Sequence, residues 1–196
     1  MRLNQTVLAW LVLLLAASRT SALGQDIHFL LFADTGDASL GRCCSITVQG
    51  VSDTLSDLIP PQRYTLRIFE SGRRDYNSAE SVLRAVRDVH VPRGDTFVLF
   101  YHGHGGSFGG RHFLHMPNNG RLFSDDLKVT VRAKSCRLAI IMSCSCNVPI
   151  RGVGEADAAA EEWNVTTQGM APVMEELFLN HTGLDHTNSS WPNQNA

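Results

Sequence analysis

The run Phe97-Val98-Leu99-Phe100-Tyr101-His102-Gly103-His104-Gly105-Gly106 passes abruptly from apolar to reactive residues. Consecutive apolar positions that include aromatics and a β-branched valine suit a strand buried on both faces, as in a parallel sheet. A histidine delivered at the C-terminal end of such a strand sits where open α/β sheets place their chemistry. Gly105 and Gly106 permit a sharp turn and present N–H groups with no side chain in the way. Further along, Leu138-Ala139-Ile140-Ile141-Met142 repeats the buried-strand pattern and ends in Ser143-Cys144-Ser145-Cys146-Asn147. Neighbouring strands, one ending in histidine and the other in cysteine, can assemble a nucleophile–base pair.

The intervening segments read as the scaffold for that pair. Ile27 to Ala33 is a strand, closed by Asp34-Thr35-Gly36-Asp37. Val48, Val51, Leu55 and Leu58 recur at helical spacing and predict an amphipathic helix over 45–58, stopped by Pro60-Pro61. A second strand covers 64–69. Asn77 with Glu80 reads as a helix start, and Val82, Leu83, Val86 and Val89 continue that helix. Residues 111–116 form a small strand, followed by the turn Pro117-Asn118-Asn119-Gly120. Ser124-Asp125-Asp126 caps a helix reaching about Ala133. Residues 150–167 read as a loop. Val173, Met174, Leu177 and Phe178 mark a last helix ended by Gly183, and 184–190 a further strand. Strands alternating with helices predict an α/β fold with a parallel sheet and right-handed crossovers.

At 196 residues and 43% hydrophobic content the chain is globular material for one domain. A formal net charge of −2 supplies neither a basic field for nucleic acid nor a polybasic membrane patch. Met1-Arg2-Leu3-Asn4, the apolar run between Val7 and Ala17, and Thr20-Ser21-Ala22 have the parts of a secretory signal peptide, assigned to 1–22. An uncleaved anchor is the alternative. On the first reading the mature chain begins near Leu23, is secreted or extracytoplasmic, and has no membrane association after cleavage. All five cysteines, Cys43, Cys44, Cys136, Cys144 and Cys146, lie in that mature part. Their odd number leaves at least one thiol unpaired in a monomer. A Cys43–Cys44 bridge would be strained, and pairing of Cys136 with either stays open. Asn164-Val165-Thr166, Asn180-His181-Thr182 and Asn188-Ser189-Ser190 are glycosylation sequons.

His104 is the candidate base, because Gly105 directly after it can turn an N–H toward a developing oxyanion. His102, two residues away, could share its face on an extended chain. Cys146 lies further past the strand end than Cys144, where a substrate carbonyl could reach it. Cys144, nearer the buried strand, is the alternative nucleophile. A structural role for both thiols competes with either choice. His102, His104, His112 and His115 with the two cysteines are also rich in zinc ligands, yet no standard finger spacing appears, and no metal is expected. Gly105-Gly106-Ser107-Phe108-Gly109 matches the G-x-S-x-G of serine hydrolases. Gly110-Arg111-His112-Phe113 does not begin the helix that such an elbow requires.

Tyr101-His102-Gly103-His104-Gly105 resembles the Y-S-G-H-G of metacaspases and other caspase-like peptidases. Ser145-Cys146-Asn147 resembles their cysteine motif, in which a small residue precedes the nucleophile. Ala33-Asp34-Thr35-Gly36-Asp37, followed by Leu40-Gly41, is similar to bacterial members of that family. The likeness spans roughly 26–196, which reads 23–196 as the peptidase domain. It implies a three-layer caspase-like sandwich, a mostly parallel sheet with helices on both faces. It also implies cysteine endopeptidase activity on peptide or protein substrates, without a redox cofactor. Within it His104 would be the general base and acid, and Cys146 the nucleophile. The N–H groups of Gly105 and Cys146 would form the oxyanion hole, and Asp34 and Asp37 are the acidic candidates for substrate binding. Three departures accompany the resemblance. The acidic residue usual two positions before the cysteine is Cys144, and Asn147-Val148-Pro149 replaces a glycine turn. The core strand and substrate loops expected beyond 184–196 do not follow, so the domain reads as truncated at its C-terminus. A catalytically inactive caspase-like binding module is the competing class.

Overall fold

The computed structural model describes residues 26–146 and 182–188. Five strands, β1 (Ile27–Ala33), β2 (Tyr64–Glu70), β3 (Thr96–His102), β7 (Leu138–Cys144) and β8 (Gly183–Asn188), form one sheet in the order β2-β1-β3-β7-β8. Every neighbouring pair in it is parallel. A second, antiparallel sheet is built from β4 (Gly105–Phe108), β5 (Arg111–His115) and β6 (Arg121–Phe123). Three α-helices, α1 (Gly41–Leu58), α2 (Ala79–Asp88) and α3 (Ser124–Arg132), and two short 3-10 turns, Pro61–Arg63 and Ser71–Arg73, complete the described elements.

Side chains alternate across the sheet, and the two faces bury separate cores. Leu30 and Phe32 of β1, Leu99 and Tyr101 of β3, and Ile141 of β7 pack with Val82 and Val86 of α2 and Leu127 and Val131 of α3. On the opposite face Phe29, Leu31, Val98, Phe100 and Ile140 pack with Val51 and Leu55 of α1. Each such residue contributes about 1.5–3 kcal/mol through removal from water. The fold is an α/β sandwich, a parallel sheet between helical layers. The unbroken apolar runs of β1, β3 and β7 are the direct result, because neither face meets solvent.

The elements differ from the sequence expectation where side chains do something other than pack. Helix α1 begins at Gly41, a full turn before the expected residue 45. Fully buried Cys44 extends its apolar stripe backward, and Asp37 shapes the entry by accepting the Ser39 and Leu40 N–H groups, each at 2.8 Å. The cap of α2 is Ser78 rather than Asn77. Ser78 accepts the Ser81 N–H while Ser81 Oγ accepts that of Ser78, so a serine does the work expected of Glu80. Glu80 instead pairs with Arg87. Ser124 opens α3 without capping it, because its hydroxyl is engaged by His112.

Of the small sheet only the middle strand was expected. Strand β4 has no counterpart in the sequence expectation, since Gly105 and Gly106 show no alternation that could reveal a strand. Gly109 and Gly110, at φ 59° and 76°, then make the tight turn into β5. The parallel strand expected at 184–190 is β8, ending among the described residues at Asn188. The expected signal segment 1–22, the loop at 150–167 and the helix near Val173 to Phe178 lie outside the described residues. Among the described residues, no helix is long and apolar enough to cross a membrane.

Candidate active site

Strands β3 and β7 run in register to their last residues, where His102 stands opposite Cys144. The ladder continues one step past them, Gly103 N–H donating to the Cys144 carbonyl at 3.2 Å. His104 and Cys146 follow two residues beyond the paired positions. The two segments touch at Gly105: a Cβ there would lie 2.8 Å from Ser145 Cβ and 2.9 Å from the Cys146 carbonyl oxygen. Only glycine allows that approach. The His104 carbonyl accepts the His115 N–H at 2.9 Å and the Tyr101 hydroxyl at 3.0 Å. By the alternation of an antiparallel ladder, this bond turns the Gly105 N–H away from β5.

The His104 ring reaches back to the loop between β1 and α1. Its Nε2 lies 3.2 Å from Ser39 Oγ and 3.4 Å from Asp37 Oδ1. Partial burial pushes the Asp37 carboxyl up, but hydrogen bonds from Ser39 and Leu40, with His104 nearby, outweigh it and hold the pKa at about 2. Asp37 therefore faces the His104 ring. Asp34, the other acidic candidate, is 5% exposed and accepts the Ser71 hydroxyl at 2.6 Å, which ties the end of β1 to the segment after β2.

His102 does not share the surroundings of His104, because the chain leaves the extended conformation at Gly103. The ring is buried on the α1 face with Nδ1 2.9 Å from Thr47 Oγ1, and desolvation lowers its pKa. Cys144 ends β7 on that same face and packs against the core beneath α1. Cys146 stands beyond the strand, half-buried. The five cysteines form no disulfide with one another, so Cys136 is paired with neither Cys43 nor Cys44. Desolvation pushes the Cys44 thiol up to about 12 and also raises that of Cys136, which keeps both protonated.

A polar network that sequence reasoning missed lies under the cysteine segment. His112 of β5 has Nδ1 2.7 Å from Ser124 Oγ, and Nε2 3.3 Å from both the Cys146 carbonyl and Ser145 Oγ. A carbonyl can only accept, so Nε2 carries the hydrogen and Nδ1 accepts from Ser124. Desolvation lowers the His112 pKa, Lys128 adds to that, and the bond to the Cys146 carbonyl works against it. Ser143 and Ser145 donate to Asn188 Oδ1 at 2.8 and 3.2 Å, so β8 braces the same segment. The sequence singles out His112 as a zinc-ligand type, not as a hydrogen-bond donor. Among the described residues, no group of three or more His, Cys, Asp or Glu side chains is gathered to hold a metal. Ser107 pairs with His112 across the β4–β5 hairpin, and a turn rather than a helix follows it, so the serine elbow does not form.

The arrangement brings the segment that carries His104 against the segment that carries Cys146, beside a backbone N–H turned away from β5. No protein-family profile matches the chain, and no curated protein matches it.

Proposed function

We propose that this chain is a caspase-like cysteine endopeptidase acting through Cys146 and His104. The observation that supports it most is the meeting of the two strand ends at Gly105, which sets the segment carrying the imidazole against the segment carrying the thiol. In the reaction His104 takes the Cys146 proton, and the thiolate sulfur bonds to the scissile carbonyl carbon. The Gly105 and Cys146 N–H groups donate to the resulting oxyanion. Collapse breaks the C–N bond as the imidazolium gives its proton to the leaving amine. Water, deprotonated by His104, then hydrolyses the thioester and restores the thiol. The apolar run from Val7 to Ala17 supports secretion, with a processed chain starting near Leu23 as its test by N-terminal sequencing.

The test is covalent labelling by iodoacetamide, read at each cysteine by mass spectrometry, beside hydrolysis of a peptide library. Cys146 should react faster than Cys136, His104→Ala should slow it, and Cys146→Ala should abolish hydrolysis. Equal, slow labelling that ignores His104→Ala would assign the chain to the inactive binding modules instead. Activity lost in Cys144→Ala but kept in Cys146→Ala would move the nucleophile to Cys144.

A further inference from the structure

The hydrogen bonds of the loop between β1 and α1 decide which nitrogen of His104 is the base. A carboxylate only accepts, so the Ser39 hydroxyl, 2.7 Å from Asp37 Oδ1, donates its single proton there. The same Ser39 oxygen is 3.2 Å from His104 Nε2. With its proton committed, it can only accept from the ring. The ring hydrogen is therefore on Nε2, and Nδ1 holds the lone pair.

We infer that Ser39 and Asp37 are positioning residues for His104, holding it as the Nε2–H tautomer so that Nδ1 is the atom that takes the thiol proton. Asp37 Oδ1, 3.4 Å from Nε2, also stabilises the imidazolium that forms. Asp37 cannot swing away, because the Ser39 and Leu40 N–H groups fix its Oδ1 and the Gly41 N–H is bonded to its carbonyl at 3.0 Å. From the other elements around His104, Tyr101 of β3 and His115 of β5 touch only its carbonyl. Asp37 is the charged side chain paired with the ring itself. The role of Nδ1 rests on the peptidase reading; the tautomer does not.

A purely structural role for Asp37, as the residue that starts α1, predicts different behaviour. Ser39→Ala keeps the backbone bonds to Asp37 and the helix start but breaks the relay to the ring. The experiment is a long-range proton–nitrogen NMR correlation on protein labelled with 15N-histidine, at about pH 8, above the ordinary range of a free histidine. His104 is assigned by its loss in His104→Gln. The wild type should show the Nε2–H pattern, and Ser39→Ala a mixture of tautomers. In Asp37→Asn, iodoacetamide labelling of Cys146 near pH 7 should slow about tenfold. An Nδ1–H pattern in the wild type overturns the inference, as does a tautomer ratio unchanged by Ser39→Ala. An Nε2–H ring beside a Cys146 no faster than Cys136 overturns the base role with the peptidase reading, and leaves the tautomer assignment supported.

Discussion

His112 Nε2 lies 3.3 Å from the Cys146 carbonyl oxygen, so the hairpin that leaves His104 returns to hold the segment bearing Cys146. His104 precedes β4 directly, and His112 sits on β5. Replacing His112 by alanine removes the donor to Cys146 and leaves Ser124 without its ring partner. A cost of about 1–2 kcal/mol is expected in urea unfolding. On the peptidase reading, labelling of Cys146 and kcat should fall together, by about tenfold, with KM little changed. A change confined to KM would remove His112 from any role in placing the thiol.

Gly105→Ala tests the contact between the two strand ends. The added methyl would meet Ser145 Cβ at 2.8 Å and the Cys146 and Phe113 carbonyl oxygens at 2.9 Å, two of these being backbone. Expected is a loss of about 1–3 kcal/mol together with loss of hydrolysis. Gly109→Ala is the comparison: at φ 59° with open space around it, it meets only backbone strain, about 1–2 kcal/mol. It should keep the chemistry. Equal activity in the two variants would show that the approach at Gly105 is not needed.

Tyr76 is 2% exposed, and its hydroxyl is the buried side-chain polar atom without a hydrogen-bond partner among the described residues. Its ring packs edge-on against Phe32, 5.5 Å between centroids. Tyr76→Phe keeps the ring and relieves the stranded hydroxyl, so stability should rise, by about 1 kcal/mol. A lower urea midpoint in the variant would mean that the hydroxyl is satisfied in solution.

Stability should fall on mild acidification. Desolvation, then the charges of Lys128 and His112, depress the His186 pKa from 6.5 to about 4, and His102 and His112 are depressed as well. Between these limits the unfolded chain binds protons that the native state refuses. The stability contributed by neutral His186 is intact above pH 6.5, declines as pH falls toward about 4, and changes no further below that. A melting temperature followed from neutral pH downward should show this slope, and His186→Gln should flatten it. An unchanged slope in the variant would assign the effect to other groups.

Much of the sheet was legible because burial on both faces writes itself as an unbroken apolar run in β1, β3 and β7. Strand β4 was not, since its glycines pair through backbone alone. The start of α1 was hidden in Cys44, a residue read for its chemistry rather than its burial. At the site, motif and strand position singled out His104, Cys146 and Gly105, and the structure sets their segments together. Ser39 carried no signal, because its contact with His104 spans 65 positions and exists only once β1 and β3 are paired. The bracing roles of His112 and Asn188 were hidden for the same reason: a side-chain hydrogen bond between strands leaves no pattern in the sequence.

Tyr101 is 1% exposed among the side chains between the sheet and α2, yet its hydroxyl grips the carbonyls of His104 and, at 2.6 Å, His115. The interior thus works as a jig for the backbone at His104. A substitution behind that ring, at Val82 or Leu99 for instance, need not unfold anything to do harm. Letting the ring settle by a fraction of its width would shift the His104 backbone, so faults deep in the hydrocarbon interior would lower the melting temperature and displace that segment together.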